Sequence, residues 1–319
     1  MSERSLSGVQ PSGELHLGNY FGAIRQHVAA QDDAYYFIAD YHALTSLRDA
    51  ESLRQNTRHV AAAYLALGLD PERAVFFRQS DVPEVCELSW LLSNVAAMGL
   101  LERAHSYKDK IAKGLQPKVG LFTYPILMAA DILAYDSDVV PVGKDQVQHI
   151  EITRDLAIAF NALFGDTFKL PRFTLGTPEL VPGLDGEKMS KSYDNAIPIF
   201  TRGKALKSLV MSIKTDSKAL EDPKDPDTCT VFQIFRLFAS DAERIEMAEH
   251  YRAGGYGYGH AKQALLKKIE ERFSPAWTRY DELLARPTDL EDLLRVGAVK
   301  ARAQARLVVN RARLACGLD

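Results

Sequence analysis

The chain has 319 residues and a net charge of −3, and 46% of its residues are hydrophobic and 25% are charged. These values are ordinary for a globular protein, and the length is sufficient for two domains. No apolar run reaches the roughly 20 residues that cross a bilayer, and the N-terminus lacks the apolar core of a secretion signal. The near-neutral charge does not indicate a nucleic-acid binder, so such a role would require a local basic patch.

The cysteines Cys86, Cys229 and Cys316 lie far apart in the sequence. This spacing matches neither a zinc motif nor a disulfide framework. We therefore expect a cytoplasmic protein with no protein-bound metal and no membrane partner.

Short apolar runs alternate with helical patterns through residues 1–199. The predicted strands are Arg4–Val9, Tyr35–Ala39, Ala74–Arg78 and Asp138–Val142. The predicted helices run from about Leu17 to Gln31, from a cap at Asp49 to about Leu67, onward from Pro83, and from about Gln146 to Asn161. Strands separated by helices predict an α/β fold with a doubly wound, Rossmann-like parallel sheet, in which ligands bind at the carboxyl ends of the strands.

Residues 200–319 contain helical patterns and polar loops without a convincing strand, which predicts a second, all-helical domain. The last helix, about 290–315, is a candidate to pack back on the first domain. It has no acidic residue between Arg295 and Leu318, so its basic face fits either contacts with phosphates or a solvated surface. Its basic residues are Arg295, Lys300, Arg302, Arg306, Arg311 and Arg313.

A glycine-rich segment, Pro11–Asn19 (PSGELHLGN), joins the first strand to the first helix. Glycines let backbone N–H groups approach a ligand, and the N-terminus of a helix favours an anion. His16 and Asn19 stand at that helix start, where both can point toward a phosphate. An ordinary turn before a helix has the same composition, so the segment alone leaves both interpretations open.

A second segment, Gly186–Ser192 (GEKMSKS), places Lys188 and Lys191 three residues apart in a loop with serines and a preceding glycine. A mobile cationic loop of this kind can close on a polyphosphate, because lysine carries its charge on a flexible stem. A basic loop is more often simply solvated, although the complete string is far more specific than two lysines.

A carboxylate stands inside the apolar run Ile126–Ala134. Pro125 suits the first position of a helix, and Tyr124, Met128 and Asp131 then share one stripe of that helix. A buried carboxylate requires a hydrogen-bond donor, which a core arginine, a backbone N–H group or a ligand can provide. The later segment Pro141–Gln146 (PVGKDQ) is a strand end followed by a glycine turn, where a doubly wound fold places ligands.

Together these motifs resemble the class I aminoacyl-tRNA synthetases. PSGxxHLGN is similar to their first signature, and KMSKS at Lys188–Ser192 is identical to their second. Further segments resemble the tryptophanyl members, and the resemblance covers nearly the whole chain. These segments are Ser7–Gly13, Asp40–Thr45, Leu127–Leu133, Pro141–Ala157 and Gly255–Lys262.

The resemblance implies activation of L-tryptophan by ATP with Mg²⁺, transfer to tRNA(Trp) and a homodimer, with the anticodon read by the helical domain. It implies that Lys188, Lys191 and Lys110 are catalytic. The implied ATP-binding residues are Gln10, Pro11, Ser12, His16, Gly18, Asn19, Gly143, Asp145, Lys188, Met189, Ser190, Lys191 and Ser192. The implied tryptophan-binding residues are Asp131, Tyr124, Met128, Gln146 and Leu6. Leu6 departs from some members, which have phenylalanine there, and His16 replaces a commoner threonine.

Two alternatives remain at this stage. A tyrosyl-tRNA synthetase shares the fold and KMSKS, but LMAAD and GKDQVQHIEITRD argue against it. A non-catalytic paralogue that binds tRNA or a protein has no need to keep both lysines of the loop.

Overall fold

The computed structural model describes residues 3–104, 107–108, 118–176 and 180–318. Lys110 lies outside the described residues, so its contact with a polyphosphate stays a prediction. Within the described ranges, five parallel strands form one sheet. They are β1 Ser5–Val9, β2 Ala34–Ile38, β3 Val75–Arg78, β4 Val139–Val142 and β5 Arg172–Leu175. Their order across the sheet is β3-β2-β1-β4-β5.

Helices cover both faces of this sheet and make up the second half of the chain. Those of the first half are α1 Leu17–Asn19, α2 Arg25–Ala29, α3 Asp40–Ala43, α4 Ala50–Ala66, α5 Glu84–Ser93, α6 Met98–Glu102, α7 Val119–Leu133 and α8 Val147–Phe164. A π-helical turn, Tyr20–Ile24, joins α1 to α2. Those of the second half are α9 Gly203–Ser212, α10 Thr230–Phe235, α11 Asp241–Ala253, α12 Tyr258–Ala285 and α13 Pro287–Ala315. None of the described helices is both long and apolar enough to span a membrane.

The pleat of β2 divides the core into two layers. Successive side chains of a strand point to opposite faces, and here all five residues of β2 are buried. Tyr36 and Ile38 belong to one apolar cluster, whereas Tyr35 and Phe37 belong to the other. A strand buried on both faces is typical of a parallel sheet, so the doubly wound fold expected from the sequence is confirmed.

The strand order creates a crevice between β1 and β4. The chain continues from β1 to β2 on one side of β1, whereas β4 pairs with its other side through Ser5 and Val139. At such a switch point the connections leave in opposite directions and open a cleft at the carboxyl ends of the strands. The loops that follow β1 and β4 carry the glycine turn and the PVGKDQ segment.

The structure corrects two details of the sequence analysis. Pro125 does not begin its helix, because α7 already starts at Val119 and contains the proline in its interior. Strand β5 was not predicted, since most of its Arg172–Leu175 side chains are exposed at the sheet edge and give no buried apolar run. The other strands match their predicted positions to within one residue at each end.

The last helix, α13, lies directly against β3. Its Gly297 is required by that contact, because an added Cβ would stand 1.8 Å from the carbonyl oxygen of Phe76. Over the described residues 200–318, all regular elements are helices, and α12 packs on α4 and α10.

Candidate active site

A cavity of about 520 Å³ opens at the carboxyl ends of β1 and β4. It is bounded by the strand ends, by α7 and by the start of α8. All five residues that the sequence assigned to tryptophan line it, together with Gln10 and Gly143. The five are Leu6, Tyr124, Met128, Asp131 and Gln146. Tyr124, Met128 and Asp131 thus lie on one face of α7, as predicted, although Pro125 stands inside that helix and not at its start.

Three buried side chains bind one another at the base of this cavity, and we call Asp131, His42 and Gln79 the acid cluster. Asp131 is only 1% exposed. The distance between its Oδ2 and His42 Nε2 is 2.9 Å. Gln79 Nε2 donates to Asp131 Oδ1 at 2.9 Å and to Oδ2 at 2.7 Å. Among the residues that the structure describes, the partners of this carboxylate are therefore an imidazole and an amide, and neither a core arginine nor a backbone N–H group bonds to it.

Burial controls the ionisation of the Asp131 carboxyl. Removing a carboxylate from water favours its neutral form. Burial accordingly raises the pKa of Asp131, although the hydrogen bonds and charge of His42 and the hydrogen bonds of Gln79 oppose that rise. Without the hydrogen bonds from His42 and Gln79, an ionised carboxylate in this apolar cavity would be too costly.

A second polar pair stands beside the acid cluster. The hydroxyl of Tyr124 lies 2.9 Å from Nε2 of the buried His149. The Tyr124 ring also meets the edges of the His42 and His149 rings. These contacts fix the orientation of Tyr124 at the cavity wall, where its hydroxyl can orient a polar ligand.

The glycine turn after β1 has the backbone that its sequence predicts. Gly13 has φ +103°, a left-handed conformation that favours glycine. Asn19 Oδ1 accepts the N–H of His16 at 3.0 Å, so Asn19 holds the start of α1 together. His16 is buried, and its Nδ1 has no hydrogen-bond partner among the described residues. Burial and the nearby Lys191 ammonium lower the pKa of His16 to about 4, so this imidazole is neutral at pH 7.

We call Lys188–Ser192, which contains KMSKS, the lysine loop. Met189 of this loop is buried, whereas Lys188, Lys191 and Ser192 are exposed. The buried amide of Asn195 fixes the loop, because its Oδ1 accepts from Ser190 N at 2.8 Å and its Nδ2 donates to the Lys188 carbonyl at 3.2 Å. The two lysine side chains therefore extend from an anchored backbone.

The lysine loop and the glycine turn meet directly. Lys191 Nζ donates to the carbonyl of Ser12 at 3.2 Å, and burial of this ammonium lowers the pKa of Lys191. Farther along the chain, Leu17 N donates to the Ile197 carbonyl at 3.0 Å, and Ile199 N donates to the Leu15 carbonyl at 2.9 Å. The two motifs, 170 or so residues apart, are thus hydrogen-bonded into one unit.

A smaller cavity of about 170 Å³ adjoins the first. Both cavities are lined by Gly8 and Gly143, and Asn19 and His27 line the smaller one. In the PVGKDQ segment, Asp145 folds back over Gly143 and accepts from Gln146 Nε2 at 3.0 Å. The two cavities therefore share lining residues at the strand ends. The residues predicted to bind tryptophan line the larger one, and Asn19 and Gly143 of the predicted ATP-binding residues line the smaller one.

The arginines of α13 have a role that the sequence analysis did not consider. Arg302 and Arg306 both donate to the buried Glu84 at the start of α5. Arg311 likewise pairs with Asp136, Arg313 pairs with Glu87, and Arg295 pairs with Asp292 of the same helix. The pairs of Arg302, Arg306, Arg311 and Arg313 attach α13 to the first half of the chain. These four arginines are partly exposed, but they are paired with acidic residues and do not form a free basic patch.

Sequence reasoning missed Gln79 and Asn195 and assigned no chemical role to His42. Gln79 follows the carboxyl end of β3. Because a doubly wound fold places its ligand site at the carboxyl ends of the strands, this position could have indicated Gln79 from the sequence. Asn195 follows KMSKS by three residues, but its hydrogen bonds close only after the loop has folded. In the described part of the chain, no group of three or more His, Cys, Asp or Glu side chains is arranged to hold a metal ion.

A doubly wound sheet whose first glycine turn is bonded to a KMSKS loop has the architecture of the class I aminoacyl-tRNA synthetases. The family model described as tRNA synthetases class I (W and Y) matches residues 2–274, and the chain belongs to this family.

Several of its relatives carry one name. Tryptophan–tRNA ligase of Rhodopirellula baltica is 55% identical over 99% of this chain and 99% of its own length. That of Fusobacterium nucleatum is 54% identical over 99% and 98%. The crystal structure of tryptophanyl-tRNA synthetase from Campylobacter jejuni complexed with ADP and tryptophan has a TM-score of 0.94, with 52% identity over 99% of this chain and 100% of that one.

Proposed function

We propose that this protein activates L-tryptophan with ATP to tryptophanyl-adenylate and transfers the tryptophan to tRNA(Trp). The relatives at 54% and 55% identity are named as tryptophan–tRNA ligases, and the similar solved structure contains ADP and tryptophan. The observation that carries the proposal is the site itself. A buried acceptor carboxylate lies in a cavity that adjoins a compartment next to the paired nucleotide motifs.

In the larger cavity we assign Asp131 to the indole N–H of tryptophan. The indole nitrogen is only a donor and therefore needs an acceptor in an otherwise apolar environment. Leu6 and Met128 supply apolar wall to the same cavity. Tyr124 and Gln146 are assigned to the ammonium or carboxylate of the amino acid, since both present polar groups at the cavity lining.

We assign the smaller cavity and the junction of the two motifs to ATP. Asn19 and Gly143 line this compartment, and Gln10, Pro11, Ser12 and Gly18 belong to or precede the turn beneath Lys191. The unpartnered Nδ1 of the buried His16 supports a polar ligand here, because such a group is costly unless a partner satisfies it. Asp145, Met189, Ser190 and Ser192 complete the proposed ATP-binding set.

The activation step requires alignment rather than proton transfer. The carboxylate of tryptophan is ionised at pH 7, so its oxygen can attack the α-phosphorus directly while the bond to the β-phosphate bridging oxygen breaks and pyrophosphate leaves. Lys188 and Lys191 would neutralise the charge that develops on the leaving group. A ribose hydroxyl of the tRNA then attacks the carbonyl carbon of the adenylate, the bond from that carbon to the phosphate oxygen breaks, and AMP leaves with the hydroxyl proton taken up by one of its phosphate oxygens.

Mg²⁺ is proposed to accompany the triphosphate. Magnesium commonly binds through substrate phosphates with few protein ligands, and it would supply additional positive charge to the leaving pyrophosphate. The three cysteines are free thiols, which agrees with the cytoplasmic location that we propose.

We also propose residues 1–199 as the catalytic domain and residues 200–319 as the tRNA-binding domain, within a homodimer. Trp90 and Met98 are 69% and 63% exposed, and large apolar side chains at a surface favour an interface. Leu88 and Leu92 in the same segment are buried in the core.

The test is ATP–pyrophosphate exchange with each of the twenty amino acids, followed by charging of tRNA(Trp). We expect exchange with tryptophan alone. Exchange with tyrosine would instead support the tyrosyl alternative, and exchange with none would support the non-catalytic paralogue.

A further inference from the structure

Gln79 is completely buried at the start of a turn, Gln79–Asp81, that follows β3. Both ends of its amide are occupied. The Oε1 atom accepts from Tyr41 N at 3.1 Å and from His42 N at 3.4 Å. Because backbone N–H groups can only donate, they hold the amide oxygen on their side and leave Nε2 facing Asp131.

The hydrogen bonds of Asp131 are distributed unequally between its oxygens. Oδ2 accepts from both Gln79 and His42, whereas Oδ1 accepts from Gln79 alone among the described residues. An ionised carboxylate can accept about four hydrogen bonds, two at each oxygen. Oδ1 therefore retains capacity for one further donor, and Asp131 lines the cavity in which that donor would arrive.

We propose that Gln79 is a specificity-determining positioning residue, which keeps the Asp131 carboxylate as an acceptor and leaves Oδ1 for the indole N–H of tryptophan. This inference rests on the proposed function, which assigns Asp131 to the indole. Gln79 does not touch the substrate in this account, and it acts through the carboxylate that does.

The physical reason is that the Gln79 amide nitrogen cannot accept a hydrogen bond. Gln79 donates to both oxygens of Asp131, and in the neutral acid one of those oxygens would carry a proton. The two hydrogen bonds therefore stabilise the ionised carboxylate against the neutral acid that burial favours. A neutral acid could turn its O–H toward the cavity and would then reject a donor. With Gln79 in place, the site selects ligands that offer an N–H group at this point.

The experiment compares tryptophan with β-(3-benzothienyl)alanine, in which sulfur replaces the indole N–H. Gln79→Met keeps the length of the side chain and removes all its hydrogen bonds. We expect the KM for tryptophan in ATP–pyrophosphate exchange to rise about tenfold to a hundredfold, the size of a lost charge-assisted hydrogen bond. The KM for the analogue and the kcat for both substrates should stay within about threefold, because the analogue has no N–H to lose.

Gln79→Lys serves as the rescue variant. Its ammonium donates to Asp131 and keeps it ionised, but it cannot accept from the N–H groups of Tyr41 and His42. We expect it to recover most of the preference for tryptophan over the analogue. If it fails to do so while folding normally, Gln79 acts by holding the backbone, and the inference is wrong.

Gln31→Met is the matched control, since Gln31 is also buried and also bonds to loop backbone, at Asp70 N and the Gly68 carbonyl. It should lower the melting temperature without changing the preference. An equal loss for both substrates in Gln79→Met, or the same change of preference in Gln31→Met, would overturn the inference.

The proposed function fails separately from this inference. Absence of tryptophan-dependent exchange in the unmodified protein, or an unchanged KM for tryptophan in Asp131→Ala, would remove the assignment of Asp131 whatever Gln79 does. If the unmodified protein shows tryptophan-dependent exchange and Asp131→Ala raises the KM for tryptophan, but Gln79→Met keeps the preference for tryptophan over the analogue, only the role of Gln79 is wrong.

Discussion

The acid cluster and the lysine loop hold the two sides of the site in opposite ways. Asp131 and Gln79 are at most 1% exposed and are hydrogen-bonded to each other. Lys188 and Lys191 are exposed, and the loop is fixed mainly through its backbone and Asn195. In the proposed function, selectivity therefore depends on groups fixed in the folded core, whereas the charge needed for reaction is carried by lysines on a surface loop.

The largest effect is expected for Lys191, which we assign to the rate of the reaction and not to the stability of the fold. Lys191→Ala should lower the kcat of tryptophan-dependent exchange about 10²- to 10³-fold, the usual loss for one group that stabilises transition-state charge. Its Kd for tryptophan, measured by calorimetry, should not change, because Lys191 does not line the larger cavity. Its melting temperature should change little, because the only side-chain hydrogen bond lost among the described residues is the exposed one to the Ser12 carbonyl.

Lys204→Ala is the control for that variant, since Lys204 is an exposed lysine on α9 outside the proposed site. It should leave kcat unaltered. If Lys191→Ala lost as much affinity for tryptophan as it lost rate, the assignment of the lysine loop to rate and the acid cluster to binding would be wrong.

Asp131→Ala should show the converse pattern. The KM for tryptophan should rise about tenfold to a hundredfold, and the free energy of unfolding should fall by about 2 kcal/mol, because His42 and Gln79 then lose a buried acceptor. Steady-state exchange and urea denaturation measure the two effects. Asp131→Asn, which keeps one acceptor oxygen, should lose less of both. A variant that is destabilised but binds tryptophan normally would make Asp131 purely structural.

The smaller cavity, which we assign to ATP, is lined by a buried histidine, His27. Burial lowers its pKa to about 4, and its Nδ1 lies 3.2 Å from the Tyr64 hydroxyl. Because the folded pKa lies below the unfolded value of 6.5, the unfolded chain binds the proton first as the pH falls. The stabilisation is therefore complete above pH 6.5 and is lost toward pH 4.

Between pH 7 and pH 5 we expect His27 to account for about 2 kcal/mol of lost stability, with His16 adding a further decrease of the same sign. His27→Phe keeps the stacking on Tyr36 and Tyr64 and removes the titration. Urea unfolding at the two pH values should show a shallower dependence in the variant. An identical dependence would mean that His27 is not held neutral by burial.

The smallest effect is expected at the attachment of α13. Glu84→Gln should lower the free energy of unfolding by about 1 kcal/mol, since Glu84 is buried but Arg302 and Arg306 are 37% and 59% exposed. The KM for tryptophan should stay within about twofold. Glu87→Gln, at the more exposed pair with Arg313, should cost less than about 0.5 kcal/mol. Equal losses in the two variants would contradict the role of burial.

The sequence predicted most of the sheet because its signals are local. Four strands combine apolar runs with turn residues, and Asp49 caps α4, because its side chain accepts from Ser52 N as its position predicts. β5 was not predicted, because its side chains are mostly exposed at the sheet edge and do not form an apolar run. Pro125 misled because a proline usually opens a helix, whereas here the apolar packing of α7 tolerates it within the helix.

The site was predictable in its motifs but not in its internal bonds. The residues assigned to tryptophan do line one cavity, but the partners of Asp131 come from the ends of β2 and β3, and no sequence spacing relates them. The same limit applied to α13, whose arginines looked uncommitted until the fold brought Glu84 and Asp136 against them. Tertiary contacts, rather than local patterns, decide which charges are free.

A crystal structure of the protein with tryptophan and a non-hydrolysable ATP analogue would test the account most directly. We expect the indole nitrogen within hydrogen-bonding distance of Asp131 Oδ1, with the bonds from Gln79 and His42 retained, and the triphosphate against Lys191. Tryptophan bound elsewhere, or bound with its indole nitrogen away from Asp131, would contradict the account.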